Sequence, residues 1–108
     1  MVGGNLKMSV LKLITVIDTV ETYLNNHSVK DIKVLAILYW NLNKNEASYN
    51  SLLEATQISP VSLTRSIKLL QDRGIIDLKI DEKDTRRKIV CLTEKGKALK
   101  LDLLEIMG

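Results

Sequence analysis

The stretch SPVSLTRSIKLLQDRG, Ser59 to Gly74, running on into IIDLKIDEKDTRRKIVCL, Ile75 to Leu92, decides the fold. Ser59 followed by Pro60 sets a capping hydroxyl before a proline at the first helical position, where its missing N–H costs nothing. Leu63, Ile67 and Leu70 then recur at i, i+4 and i+7, and Gly74 stops the helix in the left-handed region that glycine tolerates. The spacing predicts a helix over 60–73 whose opposite face carries Pro60, Val61, Ser62, Thr64, Arg65 and Lys68. After Gly74 the period changes. Ile75–Ile80 and Arg87–Leu92 are rich in β-branched residues and flank the polar stretch Asp81–Arg86, which reads as two strands of a hairpin joined by a charged loop.

Working outward, Ser48 can cap a short helix with Leu52, Leu53 and Ala55 on its apolar side, and Gln57-Ile58 makes a brief connection to Ser59. Upstream, Ser28 to Asp31 has the S-x-x-D form of a capping box. It opens a helix expected to bury Ile32, Leu35, Ala36, Leu38 and Tyr39 and to end near Trp40, before a turn over 41–45. Residues 5–25 place Leu6, Val10, Leu13, Ile14, Ile17, Val20 and Leu24 at steps of three and four, with Met8, Leu11 and Val16 beside them. So wide an apolar face exceeds what a small domain covers by itself. Thr93 caps a last helix with Leu99, Leu103 and Ile106 on one line and Ala98, Leu101 and Leu104 on another. Two helices joined by a tight turn suit a helix-turn-helix, and a charged hairpin directly after them reads as a wing. The fold class is therefore α+β and mostly helical: a winged helix-turn-helix flanked by N- and C-terminal helices, which the resemblance described below implies to be dimerisation helices. One domain spans 1–108, with arm helices over 5–26 and 93–107 around a core over 28–92.

The chain has 108 residues, the size of one domain, and 45% apolar with 27% charged residues. No window approaches a membrane span, and the N-terminal segment lacks the run of a signal peptide. One cysteine supports no internal disulfide framework, and one histidine with it supplies no Cys/His zinc site. The expectation is a cytoplasmic, nucleoid-associated protein without a cofactor. The net charge of +3 is unevenly spread: residues 1–58 are neutral, while residues 59–100 hold eleven Lys/Arg against six Asp/Glu. That asymmetry points to a polyanionic partner, although a solvated Lys-rich surface would give the same count.

From about Lys30 to Lys97 the chain resembles the MarR family of winged-helix transcriptional regulators. Ile58 to Arg65 looks like that family's entry into the recognition helix, and Leu70 to Ile76 like its junction into the wing. Asp84-Thr85-Arg86-Arg87 matches the D-x-R wing motif, and Leu92-Thr93-Glu94-Lys95-Gly96 the L-T-x-x-G start of the following helix. Small SarA-like and archaeal members share this layout. The resemblance implies a homodimer whose terminal helices pair, a recognition helix in the DNA major groove and a wing arginine in the minor groove. About a dozen residues follow Gly96, where typical members continue with two longer helices, so a small-molecule effector stays an open question.

The candidate DNA contacts are Pro60, Ser62, Thr64, Arg65 and Lys68 on the recognition helix, and Lys83, Asp84, Arg86, Arg87 and Lys88 on the wing. Arg65 can offer its fork to guanine or to phosphate, against the bland alternative of a surface arginine paired with an acid. Asp84 can hold the Arg86 guanidinium extended, which lessens the entropy lost on entering a narrow groove. Ser48, Tyr49 and Asn50 are side candidates for the DNA backbone, with plain capping an equal explanation for Ser48. The dimer interface is expected at Leu6, Val10, Leu13, Ile14, Ile17, Leu99, Leu103 and Ile106. Cys91 reads as a small buried hydrophobe and His27 as solvated. Tyr23, Tyr39 and Trp40 read as core or interface aromatics. No carboxylate pair, nucleophile–base pair or glycine-rich phosphate loop supports catalysis. The function expected is a sequence-selective double-stranded DNA-binding regulator. The alternatives are an architectural or plasmid-partition protein that coats DNA, and an interaction module that binds none.

Overall fold

The computed structural model describes residues 2–40 and 45–108, with side chains from Met8 onward except that of Trp40. Five helices and three strands follow in the order α1 (Val2–Leu24), α2 (Val29–Trp40), β1 (Glu46–Ser48), α3 (Tyr49–Thr56), α4 (Pro60–Asp72), β2 (Ile76–Ile80), β3 (Lys88–Leu92) and α5 (Glu94–Met107). The turn expected over 41–45 lies outside the described residues except for Asn45, and the Leu6 and Trp40 side chains lie outside them too.

Each expected start signal is used. Ser48, Ser59 and Thr93 accept from the backbone N–H groups of Ser51, Ser62 and Gly96 at 3.1 Å each. These bonds satisfy donors that a helix start otherwise leaves orphaned. The Asp31 carboxylate reaches back to the Ser28 backbone N–H at 2.7 Å, closing the capping box. At the end of α4, Gly74 sits at φ +73°, with Gly74 N–H bonded to the Gln71 carbonyl and Ile75 N–H to that of Leu70. This pair of bonds is a Schellman motif, and it turns the chain from α4 directly into β2.

The sheet has the order β1-β3-β2 and is antiparallel throughout. Strand β1 is an addition to the hairpin expected from sequence. Its three residues pair Glu46 with Cys91, Ala47 with Val90 and Ser48 with Ile89. So short a segment, over forty positions from its partner, carries no periodicity of its own, and only the pairing makes it a strand.

The core gathers Leu24 from α1, Val34, Leu35 and Leu38 from α2, Leu52 from α3, and Leu63, Ile67 and Leu70 from α4. Beneath them lie Ile75, Ile76, Val90 and Leu92, and α5 closes the core with Leu99 and Leu103. Gly96 is where α5 starts against the junction after α4. A Cβ there would lie 2.2 Å from the Ile75 carbonyl oxygen, so the close approach requires glycine.

Several placements differ from the sequence reading. Leu99 and Leu103 belong to the chain's own core, at 0% and 9% exposure, and Ile106 packs against it. Leu99 and Leu103 are thus taken up within the chain rather than turned outward for the dimer interface expected of them, and Ile106 is half-buried. The outward line of α5 is Leu101, Leu104 and Met107. Periodicity finds two apolar lines on α5 but not which one faces inward. Ile32 and Ala36 on α2 are exposed rather than buried. His27 is packed, not solvated: its side chain is 7% exposed and its Nδ1 lies 3.2 Å from Glu21 Oε1. Cys91 is half-buried on the outer face of the sheet, because alternation gives the inward positions to Val90 and Leu92. Its cross-strand neighbours are the acids Glu46 and Asp77. Lys79 reaches over this face to Glu46 at 2.7 Å, a bond that raises the lysine above its usual range.

The molecule measures 53 × 26 × 23 Å. Its length follows from α1, whose 23 residues extend roughly 34 Å at 1.5 Å each. Val20 and Leu24 enter the core, whereas Val10, Leu13, Ile14 and Ile17 further up the same stripe stay about half exposed. Among the described residues no helix is long and apolar enough to cross a membrane, and no cluster of metal-ligating side chains occurs.

Candidate nucleic-acid interface

α4 is amphipathic by construction. Leu63, Ser66, Ile67 and Leu70 point into the core, and Pro60, Val61, Thr64, Arg65 and Lys68 form one continuous exposed surface. The helix is held at its first turns. Tyr49, at the start of α3, brings its hydroxyl within 3.3 Å of the Pro60 carbonyl and 3.2 Å of Thr64 Oγ1. Tyr49 thus ties the turn between the two helices, and the same contact fixes the Thr64 side chain.

Ser62 departs from the expected face. It is half-buried, and its hydroxyl accepts from Lys30 Nζ on α2 and from Ser59 Oγ, each at 3.0 Å. Its place on the flank towards α2, not on the outward face, accounts for this. Lys30 is not among the contacts the sequence singles out, because the packing of α2 on α4 that brings it there has no counterpart in local sequence.

The loop from Asp81 to Arg87 is built around two aspartates. The Asp84 carboxylate accepts from the Arg86 backbone N–H at 3.1 Å and from Arg86 Nε at 3.3 Å. The Arg86 side chain is nonetheless 91% exposed, so its guanidinium is steered and still available. Asp81 receives the Lys83 backbone N–H at 2.9 Å and lies 3.9 Å from Arg87. Lys83 and Lys88 are exposed. Asp84 is thus a short carboxylate two residues from an arginine, restricting it without burying it.

These parts converge. Tyr49 and Asn50 from α3, Thr64 from α4 and Arg86, Arg87 and Lys88 from the wing line one groove of about 290 Å³. The side candidates of α3 are thereby joined to the principal ones, except that Ser48 is buried and consumed in capping. The surface combines hydroxyl and amide groups with three cations. It can bind a polyanion through phosphate contacts and present Thr64, Arg65 and Lys68 to whatever lies against α4.

Solved structures share the fold over nearly the whole chain. A MarR transcriptional regulator from Methanosarcina mazei matches 98% of this chain and 73% of its own length at 28% identity, with a TM-score of 0.68. The fold is that of the MarR-type winged-helix regulators. Staphylococcus aureus MepR, as a point mutant bound to an oligodeoxyribonucleotide, shares this fold at a TM-score of 0.74. There the match covers 99% of this chain and 76% of MepR, at 20% identity. Bordetella bronchiseptica BpsR, whose DNA binding is regulated by 6-hydroxynicotinic acid, matches 99% of this chain and 74% of its own at 20% identity and a TM-score of 0.62. No protein-family model and no curated protein matches the sequence. In the terms of the MarR-type fold, α3 and α4 are the helix-turn-helix and β2–β3 the wing.

Proposed function

We propose that this chain is a homodimeric, sequence-selective double-stranded DNA-binding transcriptional regulator of the cytoplasm and not an enzyme. The observation that carries the reading is the exposed face of α4 meeting, at Thr64, the groove of Arg86, Arg87 and Lys88. α4 enters the major groove, where Arg65 reads a base edge or holds a phosphate, and the steered Arg86 enters the adjacent minor groove. Lys68, Lys83 and Lys88 add phosphate attraction, and Asn50 meets the backbone at the start of α3. MepR and AbfR, solved bound to DNA with this fold, support the assignment.

The exposed apolar residues of α1 and α5 supply the dimer contact, centred on Val10, Leu13, Ile14 and Ile17 with Leu101, Leu104 and Met107. A two-fold pairing of these arms sets two copies of α4 about one helical turn apart on a pseudo-palindromic site. Between α1, α2 and α5 lies an apolar groove of about 680 Å³, edged by Tyr39 and Lys100. An effector of this protein would enter there, between arm and DNA-reading core.

Selection of bound duplexes from a random pool, followed by footprinting and sedimentation, tests the whole reading. The expected result is one short palindrome protected by a dimer. Protection that spreads along the DNA with little sequence preference would replace the regulator with a DNA-coating protein.

A further inference from the structure

α4 is bordered by a groove on each flank. The first is the wing groove with Thr64 on its wall. The second, of about 600 Å³, runs between α4 and the start of α2, where Lys30, Ser62, Arg65 and Leu69 meet Asn26 and His27. Ser62 and Thr64 are two positions apart, so they project about 200° apart around the helix, and the two grooves lie on opposite sides of α4.

The second groove is cationic at its rim. Exposed Lys30 reaches from α2 to donate to Ser62 Oγ at 3.0 Å. That partner is neutral, so the bond positions the ammonium beside α4 without cancelling its charge. The carboxylate of Asp31, also on this groove, is 4% exposed and occupied by the Ser28 N–H and hydroxyl at 2.7 and 3.1 Å. Arg65 belongs both to this groove and to the outward face of α4.

We propose that the groove between α2 and α4 seats the phosphodiester backbone of the DNA strand across the major groove from the one held at the wing, with Lys30 and Arg65 as its phosphate ligands. The proposal rests on the DNA-binding reading above and extends it to the second strand. The major groove is about 12 Å wide and a helix with its side chains about 10–12 Å across. A helix lying in it therefore has one strand's phosphates along each flank. With Arg86, Arg87 and Lys88 on one side alone, α4 could roll about its axis. Lys30, pinned by Ser62, supplies the opposing hold and fixes the roll at which Thr64 meets the bases. Ser62 is then a positioning residue, acting through Lys30.

The experiment compares the full chain with Lys30→Ala, Lys30→Arg and Arg86→Ala on the selected duplex and on an unrelated duplex. It follows a salt series and phosphate-ethylation interference on each strand. Lys30→Ala should weaken both duplexes by the same factor, roughly eightfold near 0.1 M salt, and lower the salt slope by about one. Within each half-site it should lose interference on one strand only, Arg86→Ala should lose it on the other, and Lys30→Arg should behave as the parent. Unchanged affinity and salt slope in Lys30→Ala, with the parent still binding, would overturn the second groove and leave the DNA reading standing. Loss of the same strand's interference within a half-site in both variants would also overturn it. A parent chain that binds no duplex even at low salt would sink the DNA reading itself.

Discussion

Arg86 and Gly96 show how differently single residues act in this chain. Arg86 is almost wholly exposed and bonds to the acid that steers it. Arg86→Ala is expected to leave the unfolding free energy in urea within about 0.5 kcal/mol of the parent while weakening duplex binding several-fold in a gel-shift titration. Unchanged affinity would remove the wing from the interface. Gly96→Ala is the reverse case: the methyl group would meet the Ile75 carbonyl, which belongs to the backbone and cannot rotate away. A destabilisation of about 1–3 kcal/mol is expected in denaturant unfolding. Residue roles are legible in the sequence where they act within a few positions, as for Asp84 with Arg86 and Ser59 with the start of α4. They are not legible where a partner comes from elsewhere in the chain. The Lys30–Ser62 bond spans 32 positions, and His27 is enclosed by packing that its polar neighbours Asn25 and Asn26 do not announce.

The elements owe their boundaries to local chemistry, and their orientation to ties between ends. Ser59→Ala removes the hydroxyl that receives the Ser62 N–H and bonds its side chain. The expected loss is about 1 kcal/mol of stability by thermal or chemical unfolding, because the start of α4 is left with an unsatisfied donor. An equal midpoint would show the cap to be redundant with Pro60. At its other end α4 is tied to α1: Arg73 donates through Nε to the Leu24 carbonyl, and Lys95 of α5 donates to the Arg73 carbonyl at 2.9 Å. Helix and hairpin limits can be read to within a residue or two where caps, Gly74 and the change of period give local signals, but α1, which has no such start signal, begins at Val2 rather than at position 5. Strand β1 cannot be so read, because its identity is a hydrogen-bonding relation with β3.

At the scale of the molecule the question is which apolar surface belongs to the chain and which to a partner. Leu99 and Ile14 separate the two. Leu99→Ala hollows the monomer's own core and should cost about 2–5 kcal/mol at any protein concentration. Ile14→Glu places a charge on the exposed stripe of α1. It should leave each chain's fold intact while shifting sedimentation from dimer to monomer, with DNA affinity falling as the second half-site is lost. A variant that sediments as the parent does would move the dimer contact off α1. Both residues satisfy the same helical spacing in the sequence, and burial alone divides them.

The order of the five helices and the hairpin, the caps that begin α2 to α5, the winged-helix class and the position of the basic charge all follow from the linear chain. Each depends on spacing within one turn or one strand, or on composition along one segment. Packing in three dimensions was needed to choose the inward line of α5, to put Cys91 on the outer face of the sheet, and to give Ser62 to a flank held by Lys30. Packing also joined Tyr49 and Asn50 to the wing arginines in one groove. The physical reason is common to all four. An amphipathic helix or an alternating strand specifies a periodicity, and the choice of face is made by what packs against it from distant parts of the chain.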